Sequence, residues 1–155
     1  MKIKKISLFI VSILLMFSFS ACMGQLQEFV YYDTDTKLIN NIARDLDGVT
    51  GCEYESVRVA MNMFGKPFSM GPTDPTYRGI ITLSEEEGQK LLEEYEWELD
   101  DTYVLQNIGD IDTSYLKCCE WYTCNDFDSD IFKTVIVEYV YFNGKDTILF
   151  EVHSI

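Results

Sequence analysis

Apolar residues recur at helical spacing in two stretches of the sequence, 33–46 and 84–99. In the second stretch Ser84 is a strong N-cap, and Glu87, three residues later, completes a capping box. The pattern therefore predicts two amphipathic helices, the first from Asp33 to Leu46. Their expected buried positions are Leu38, Ile39, Ile42, Ala43 and Leu46 in the first helix, and Gly88, Leu91, Leu92, Tyr95 and Leu99 in the second.

Alternating or β-branched runs predict strands elsewhere in the chain. Residues 78–83 form one short candidate, and residues 132–142 and 145–155 form two longer ones on either side of Asn143-Gly144. Residues 55–63 fit both a strand and a helix, and their β-branched residues favour the strand. Together these elements predict an α+β domain, in which two amphipathic helices pack on one face of an antiparallel sheet ending in a C-terminal β-hairpin.

Asn143-Gly144 is the preferred sequence of a two-residue hairpin turn, because both positions need a positive φ. Such a turn pairs Phe142 with Lys145 and makes one face of the hairpin apolar on both strands. The expected apolar pairs are Tyr139–Ile148, Val137–Phe150 and Val135–Val152, and the mixed, partly wet pairs of the other face are Glu138–Leu149, Ile136–Glu151 and Thr134–His153.

The beginning of the chain has the layout of an export signal. Lys2, Lys4 and Lys5 precede an apolar run from Ile6 to Phe19, and small residues follow it. At about 1.5 Å per helical residue this run is about 21 Å long, shorter than the roughly 30 Å of a bilayer core. A cleaved signal, residues 1–21, is therefore favoured over a permanent membrane-spanning helix.

The end of this segment, Phe19-Ser20-Ala21-Cys22, resembles the lipobox of bacterial lipoproteins, with Phe19 where leucine is usual. The resemblance implies that Cys22 is lipidated with a diacylglycerol and an amide-linked acyl chain, such as palmitate, and becomes the first residue after cleavage. It also implies anchoring in the bacterial cell envelope, facing the extracytoplasmic side. Residues 22–27 would then be a short tether and residues 28–155 one globular domain. Ordinary secretion and an uncleaved anchor are the alternatives.

The composition limits both the domain count and the partners. Removing residues 1–21 from the 155-residue chain leaves 134 residues, enough for one domain but scarcely for two. Three of the twelve basic residues and none of the 26 acidic ones lie in the signal, so the remaining nine basic residues give a formal charge of −17. Such a protein repels nucleic acid and anionic lipid. The expected contact with the membrane is therefore the lipid anchor.

Four cysteines follow Cys22, namely Cys52, Cys118, Cys119 and Cys124. An even number in an exported chain predicts disulfides. Because a bond between the adjacent Cys118 and Cys119 would close a strained ring, one of them is expected to pair with Cys52 and the other with Cys124. Free thiols and a four-thiolate zinc site are alternatives, although the paired C-x2-C spacing of zinc sites is absent.

Asp126, Asp128 and Asp130 alternate as in the opening of a calcium-binding loop, where carboxylates converge on one hard cation. The match stops at Ile131 and Val137, which occupy the positions of the glycine and the bidentate glutamate. A non-standard calcium site is one interpretation, and a solvated acidic loop is the other. Further candidate ligands are Asn125, Asp110 and Asp112.

His153 is the only histidine, so a Ser-His-Asp or Cys-His arrangement would depend on it. It is expected at a strand end, half exposed and opposite Thr134. No G-x-S-x-G nucleophile elbow occurs in the sequence. We therefore predict no catalytic residue.

The leading hypothesis for the function is an envelope-anchored, non-catalytic binding or interaction domain. Exposed aromatic side chains could stack on sugar rings or anchor a protein partner. The candidates are Tyr103, Tyr115, Trp121 and Tyr122. A small exported hydrolase, and a calcium-dependent or structural envelope component, are the alternative functions.

Overall fold

The computed structural model describes residues 26–43, 45–63, 66–68, 74–105 and 107–155. The predicted signal and Cys22 lie outside these ranges, as do residues 69–73. Within the described part of the chain, no helix is long and apolar enough to cross a bilayer.

The described chain forms eight strands, three α-helices and one 3-10 helix. In chain order they are β1 (Leu26–Asp33), α1 (Ile39–Ile42), β2 (Val49–Met63), β3 (Lys66–Phe68), β4 (Thr76–Leu83), α2 (Glu85–Glu94), β5 (Glu98–Leu99), the 3-10 helix (Ser114–Leu116), β6 (Tyr122–Thr123), α3 (Asn125–Ile131), β7 (Val135–Phe142) and β8 (Thr147–Ser154). All strands join one antiparallel sheet in the order β1-β2-β4-β8-β7-β6-β5, and β3 pairs with β2. The predicted α+β class with an antiparallel sheet is confirmed, and the ambiguous residues 55–63 are part of a strand.

Apolar side chains are buried on both sides of the sheet, because successive residues of a strand point to opposite faces. We call the side with Ile81 and Phe150 the helix face, since its cluster also contains the buried residues of the helices. We call the side with Ile80 and Leu149 the loop face, since its cluster includes residues of the segment 100–121. The helical members of the first cluster include Ile39, Ile42, Leu91, Phe127 and Ile131, and the segment contributes Ile108, Ile111, Leu116 and Trp121 to the second.

The first predicted helix is wrong over most of its length. Strand β1 continues to Asp33, and only Ile39–Ile42 is helical. The Asp33 carboxylate accepts hydrogen bonds from the backbone N–H groups of Thr34 and Asp35, at 2.7 and 3.0 Å, which forms a turn where the helix was expected to begin. The apolar spacing nevertheless identified buried positions correctly: Ile39, Ile42, Ala43 and Leu46 are buried.

The second predicted helix begins as expected. The Ser84 hydroxyl oxygen accepts the backbone N–H of Glu87 at 3.2 Å, which confirms the N-cap. Gly88 and Leu91 are buried, but Leu92 and Leu99 are exposed, in contrast to the predicted stripe. The reason for the difference at Leu99 is that the helix ends at Glu94 and Leu99 lies in the short strand β5.

The C-terminal hairpin is confirmed, but its predicted turn and register are wrong. Phe142 pairs with Ile148 instead of Lys145. The turn is longer than two residues because the Asn143 side-chain oxygen accepts three backbone N–H groups, those of Lys145, Asp146 and Thr147, each at 2.9 Å. Gly144 within it has a φ of 72°.

A bulge at Glu138 changes the register a second time. Tyr139 therefore faces Glu151, and Val137 faces Val152. The bulge also changes which side chains share a face, so that Val140 and Phe142 join the helix-face cluster while Tyr141 packs against the loop-face cluster.

Strand β1 includes Leu26 and Gln27, which the sequence pattern assigns to the tether. They pair with Met61 and Ala60 of β2. The described sheet thus extends two residues further toward Cys22 than the expected domain boundary. Since β1 lies at one end of the sheet order, it forms an edge of the sheet.

Candidate binding site

The four described cysteines are free thiols that lie on different sides of the sheet. Cys52 and Cys124 belong to the helix-face cluster, Cys119 packs against the loop-face cluster, and Cys118 is exposed. A bond from Cys118 or Cys119 to Cys52 would have to connect the two sides of the sheet, so this arrangement does not support that pairing. Burial raises the pKa of the Cys52 thiol to about 12, which keeps it protonated and unreactive at neutral pH.

The three aspartates considered for calcium lie on α3 instead of a loop. Residues two positions apart on a helix point to nearly opposite sides, so Asp128 points away from Asp126 and Asp130. Asp128 is partly buried, and the other two are exposed. The described residues contain no group of three or more His, Cys, Asp or Glu side chains able to hold a metal ion. The arrangement therefore does not support the predicted calcium site.

His153 lies on the loop face and is half-buried, as expected, but its neighbours differ from those predicted. It pairs with Ile136 instead of Thr134. Its Nδ1 lies 2.8 Å from the Thr76 hydroxyl, whereas its Nε2 is 3.9 Å from a Glu138 carboxylate oxygen, too far for a hydrogen bond. Among the described residues, His153 is thus hydrogen-bonded to a strand threonine, and no carboxylate lies close enough to orient its ring.

The aromatic residues predicted as a binding surface mostly belong to the core. Trp121 is buried in the loop-face cluster, and Tyr103 packs against that cluster. Tyr122 is half-buried, and its hydroxyl donates to Glu120 at 3.0 Å. Only Tyr115 is exposed, so these four residues do not form one accessible stacking surface.

A different set of aromatic residues lines a cleft of about 520 Å³ on the helix face. The cleft lies over strands β1, β2 and β4, and Leu38 and Pro67 lie at its border. Its aromatic lining residues include Phe29 and Tyr31 from β1, Tyr54 from β2 and Tyr77 from β4. We call this feature the aromatic cleft.

The cleft exists because small residues of β2 lie beside large residues of the two neighbouring strands. Ser56 pairs with Tyr31 on one side and with Tyr77 on the other. Adjacent strands are about 4.8 Å apart, so the two tyrosines are about 10 Å apart across Ser56. Ser56 and Ala60 are buried and form the floor. This spacing leaves room for a sugar ring beside either tyrosine.

Gly79 allows Tyr54 to pack closely against β4. A Cβ atom at residue 79 would overlap the backbone oxygen of Glu53 and would lie 2.7 Å from the Cβ of Tyr54. The Tyr54 ring then contacts Tyr77 edge-on, with their centroids 6.1 Å apart. Two of the aromatic side chains are thus held in place before any ligand binds.

The polar groups of the cleft differ between its two ends. At one end Asp33 of β1 pairs with Tyr54 of β2. Burial, together with the charge of Asp33, raises the pKa of Tyr54 to about 12, so the hydroxyl remains a donor at neutral pH. At the other end Arg58, paired with Phe29, is exposed.

The loop face has a second, polar pocket that includes Arg78 and Glu151. The Arg78 guanidinium donates through Nε and Nη2 to one oxygen of the buried Glu55, at 3.1 and 3.0 Å. The other Glu55 oxygen accepts the backbone N–H of Asp110 at 3.0 Å. Through these bonds, Arg78 and Glu55 connect strands β2 and β4 to the segment 100–121.

The aromatic cleft is not evident from the sequence. Tyr31, Tyr54 and Tyr77 are far apart in sequence, and only the pairing of three strands brings them together. The available signal was the alternation of Tyr54, Ser56 and Arg58, which predicts that small and large side chains share one face of β2.

No protein-family model, curated protein or solved structure matches this chain.

Proposed function

We propose that this protein is an envelope-anchored lipoprotein with a non-catalytic domain that binds a glycan in the aromatic cleft. The observation that carries the proposal is the cleft itself, in which Tyr31 and Tyr77 flank the small Ser56. The proposal includes packing of α1 and α2 on the side of the sheet that bears the cleft, which is supported by the hydrophobic cluster they share.

A glycan is the ligand that best matches this chemistry. The faces of a sugar ring carry C–H groups that stack on tyrosine, while its edge carries hydroxyl groups that need hydrogen-bond partners. The cleft offers both, since tyrosines stand beside the Ser56 hydroxyl and the Asp33 carboxylate. With about 520 Å³, it has room for one or two sugar residues.

The anchor part of the proposal rests on Phe19-Ser20-Ala21-Cys22. Strand β1 starts at Leu26, four residues after Cys22. A fully extended chain covers at most about 3.6 Å per residue, so these four steps span at most about 14 Å. The lipid would thus hold the sheet edge that lines the cleft close to the membrane surface.

The ligand is tested with a panel of neutral and acidic oligosaccharides, by following the tyrosine signals in NMR titrations. We expect Tyr31→Ala to weaken binding at least tenfold, because this exposed residue forms one wall of the cleft. Tyr115→Ala is the matched control, since it removes an equally exposed tyrosine outside the cleft. The glycan proposal fails if no sugar binds, or if the two variants behave alike.

The anchor is tested with Cys22→Ala in the full-length chain. We expect the variant to lose palmitate labelling and to leave the membrane fraction. Cys118→Ala is the control, because it removes an exposed cysteine outside the signal. Unchanged labelling of Cys22→Ala would show that the lipoprotein assignment is wrong.

A further inference from the structure

We propose that the aromatic cleft selects a sugar residue bearing a carboxylate, which Arg58 binds while the ring stacks between Tyr31 and Tyr77. This inference rests on the proposed glycan-binding function and adds the chemical class of the ligand. Among the described residues that line the cleft, Arg58 is the only basic one.

Arg58 has no acidic partner among the described residues. No carboxylate of the described chain lies within 4.0 Å of its guanidinium, although acidic residues outnumber basic ones by 26 to 12. Five of the other seven described lysine and arginine side chains have such a partner, namely Lys37, Arg78, Lys90, Lys133 and Lys145, while Lys66 and Lys117 lie away from the lining of the cleft. An exposed, unpaired guanidinium beside aromatic rings is therefore available to an anion from outside.

The position of Arg58 relative to the cleft floor fits a substituent on a stacked ring. Arg58 lies two residues from Ser56 on the same face of β2, which is about 7 Å along the strand. A ring held over Ser56 can direct a carboxylate attached to its edge toward the guanidinium. The planar guanidinium can then donate two parallel hydrogen bonds to the two carboxylate oxygens.

The opposite end of the cleft favours the same orientation of the ligand. Asp33 lies two strand positions beyond Ser56 in the other direction, since it pairs with Tyr54. Its carboxylate would repel that of the ligand but accept hydrogen bonds from ring hydroxyl groups. A sugar acid therefore binds with its carboxylate at Arg58 and its hydroxyl groups toward Asp33.

The test compares methyl β-D-glucuronide with methyl β-D-glucoside, which differ only in a carboxylate in place of a hydroxymethyl group. We expect the unmodified domain to bind the glucuronide at least tenfold more tightly at low salt, with a smaller preference at high salt. Arg58→Gln should remove this preference by weakening binding of the glucuronide much more than binding of the glucoside. Arg58→Lys should retain part of it, because it keeps the charge but loses the planar donor pair.

Lys66→Gln is the matched control, since it removes an exposed positive charge on the neighbouring strand β3 and should leave the preference unchanged. Equal affinity for the two glycosides, or a preference that survives Arg58→Gln, would overturn the role of Arg58 while leaving the glycan proposal intact. If neither glycoside nor any oligosaccharide of the panel binds, both proposals fail. In every comparison, an NMR spectrum of each variant checks that the variant is folded.

Discussion

Two ion pairs of equal length in this protein differ in how far they are removed from water. Arg78 and Glu55 are 3.0 Å apart, and so are Lys133 and Asp45. The Glu55 side chain is only 2% exposed, whereas those of Lys133 and Asp45 are 58% and 63% exposed. The Arg78 side chain is 35% exposed, so solvent screens this pair less than it screens the more exposed one, and the two are expected to respond differently to mutation.

We predict that Glu55→Gln lowers the free energy of unfolding by about 2–4 kcal/mol, because it leaves Arg78 without its counter-charge. Lys133→Gln should lower it by less than about 1 kcal/mol. Urea denaturation of both variants measures the difference. Equal losses would mean that burial does not determine the contribution of these pairs.

Asp128 shows the opposite situation, a partly buried carboxyl group without compensation. One of its oxygens is buried and has no hydrogen-bond partner among the described residues. Burial raises the pKa of this carboxyl group to about 6, above its usual value near 4. At pH 5 the Asp128 carboxyl group is therefore mostly protonated in the folded protein, whereas in the unfolded chain it is mostly ionised.

The resulting prediction is a loss of stability as the pH rises from about 4 to about 6, with no further loss from this group above that range. Asp128→Asn should remove this dependence and raise the free energy of unfolding at pH 7 by about 1 kcal/mol, a value reduced for partial contact with water. Urea denaturation at several pH values tests it. Asp126→Asn, an exposed change on the same helix, should keep the original slope; if both variants keep it, another group is responsible.

At the scale of elements, local side-chain chemistry determines the hairpin turn. The Asn143 oxygen accepts three backbone N–H groups, which would otherwise lack partners in the turn. We predict that Asn143→Ala lowers the free energy of unfolding by about 1–2 kcal/mol, measured by denaturation. Asn40→Ala, at an exposed position of α1, is the control and should change it by less than about 0.5 kcal/mol. A similar effect of both changes would show that the turn tolerates loss of these bonds.

Elements fixed by contacts between residues close in the chain could be predicted from the sequence, and the others could not. The Ser84 cap is a contact between residues three apart, so the pattern is sufficient to identify it. The hairpin register depends on the turn at Asn143 and on the bulge at Glu138, and the apolar alternation does not reveal either. The helix expected from Asp33 to Leu46 is reduced to Ile39–Ile42, because Asp33 pairs with β2 and its carboxylate binds the N–H groups of Thr34 and Asp35 in a turn.

At the scale of the whole molecule, the sheet is covered on both sides but by different kinds of structure. Of the helices only α2 was predictable, from its N-cap and part of its apolar stripe. The segment 100–121 has no regular pattern, and its Ile108, Ile111 and Leu116 are buried all the same. The aromatic cleft was equally unpredictable, since it needs three strands in register. Both features depend on contacts between residues far apart in the chain.

The attachment of the segment 100–121 to the loop face depends on Gly109 and Glu55. Gly109 has a φ of 47°, which side-chain-bearing residues rarely adopt, and a Cβ there would overlap the Glu55 carboxylate. We predict that Gly109→Ala pushes this carboxylate away from the N–H of Asp110 and speeds amide hydrogen exchange in residues 107–121, while β7 and β8 remain protected. Gly51→Ala is the control, because its Cβ would meet Thr82 at an ordinary 3.7 Å and should leave the segment protected. Equal acceleration in the segment and in the sheet would mean that the loop-face cover opens only with global unfolding.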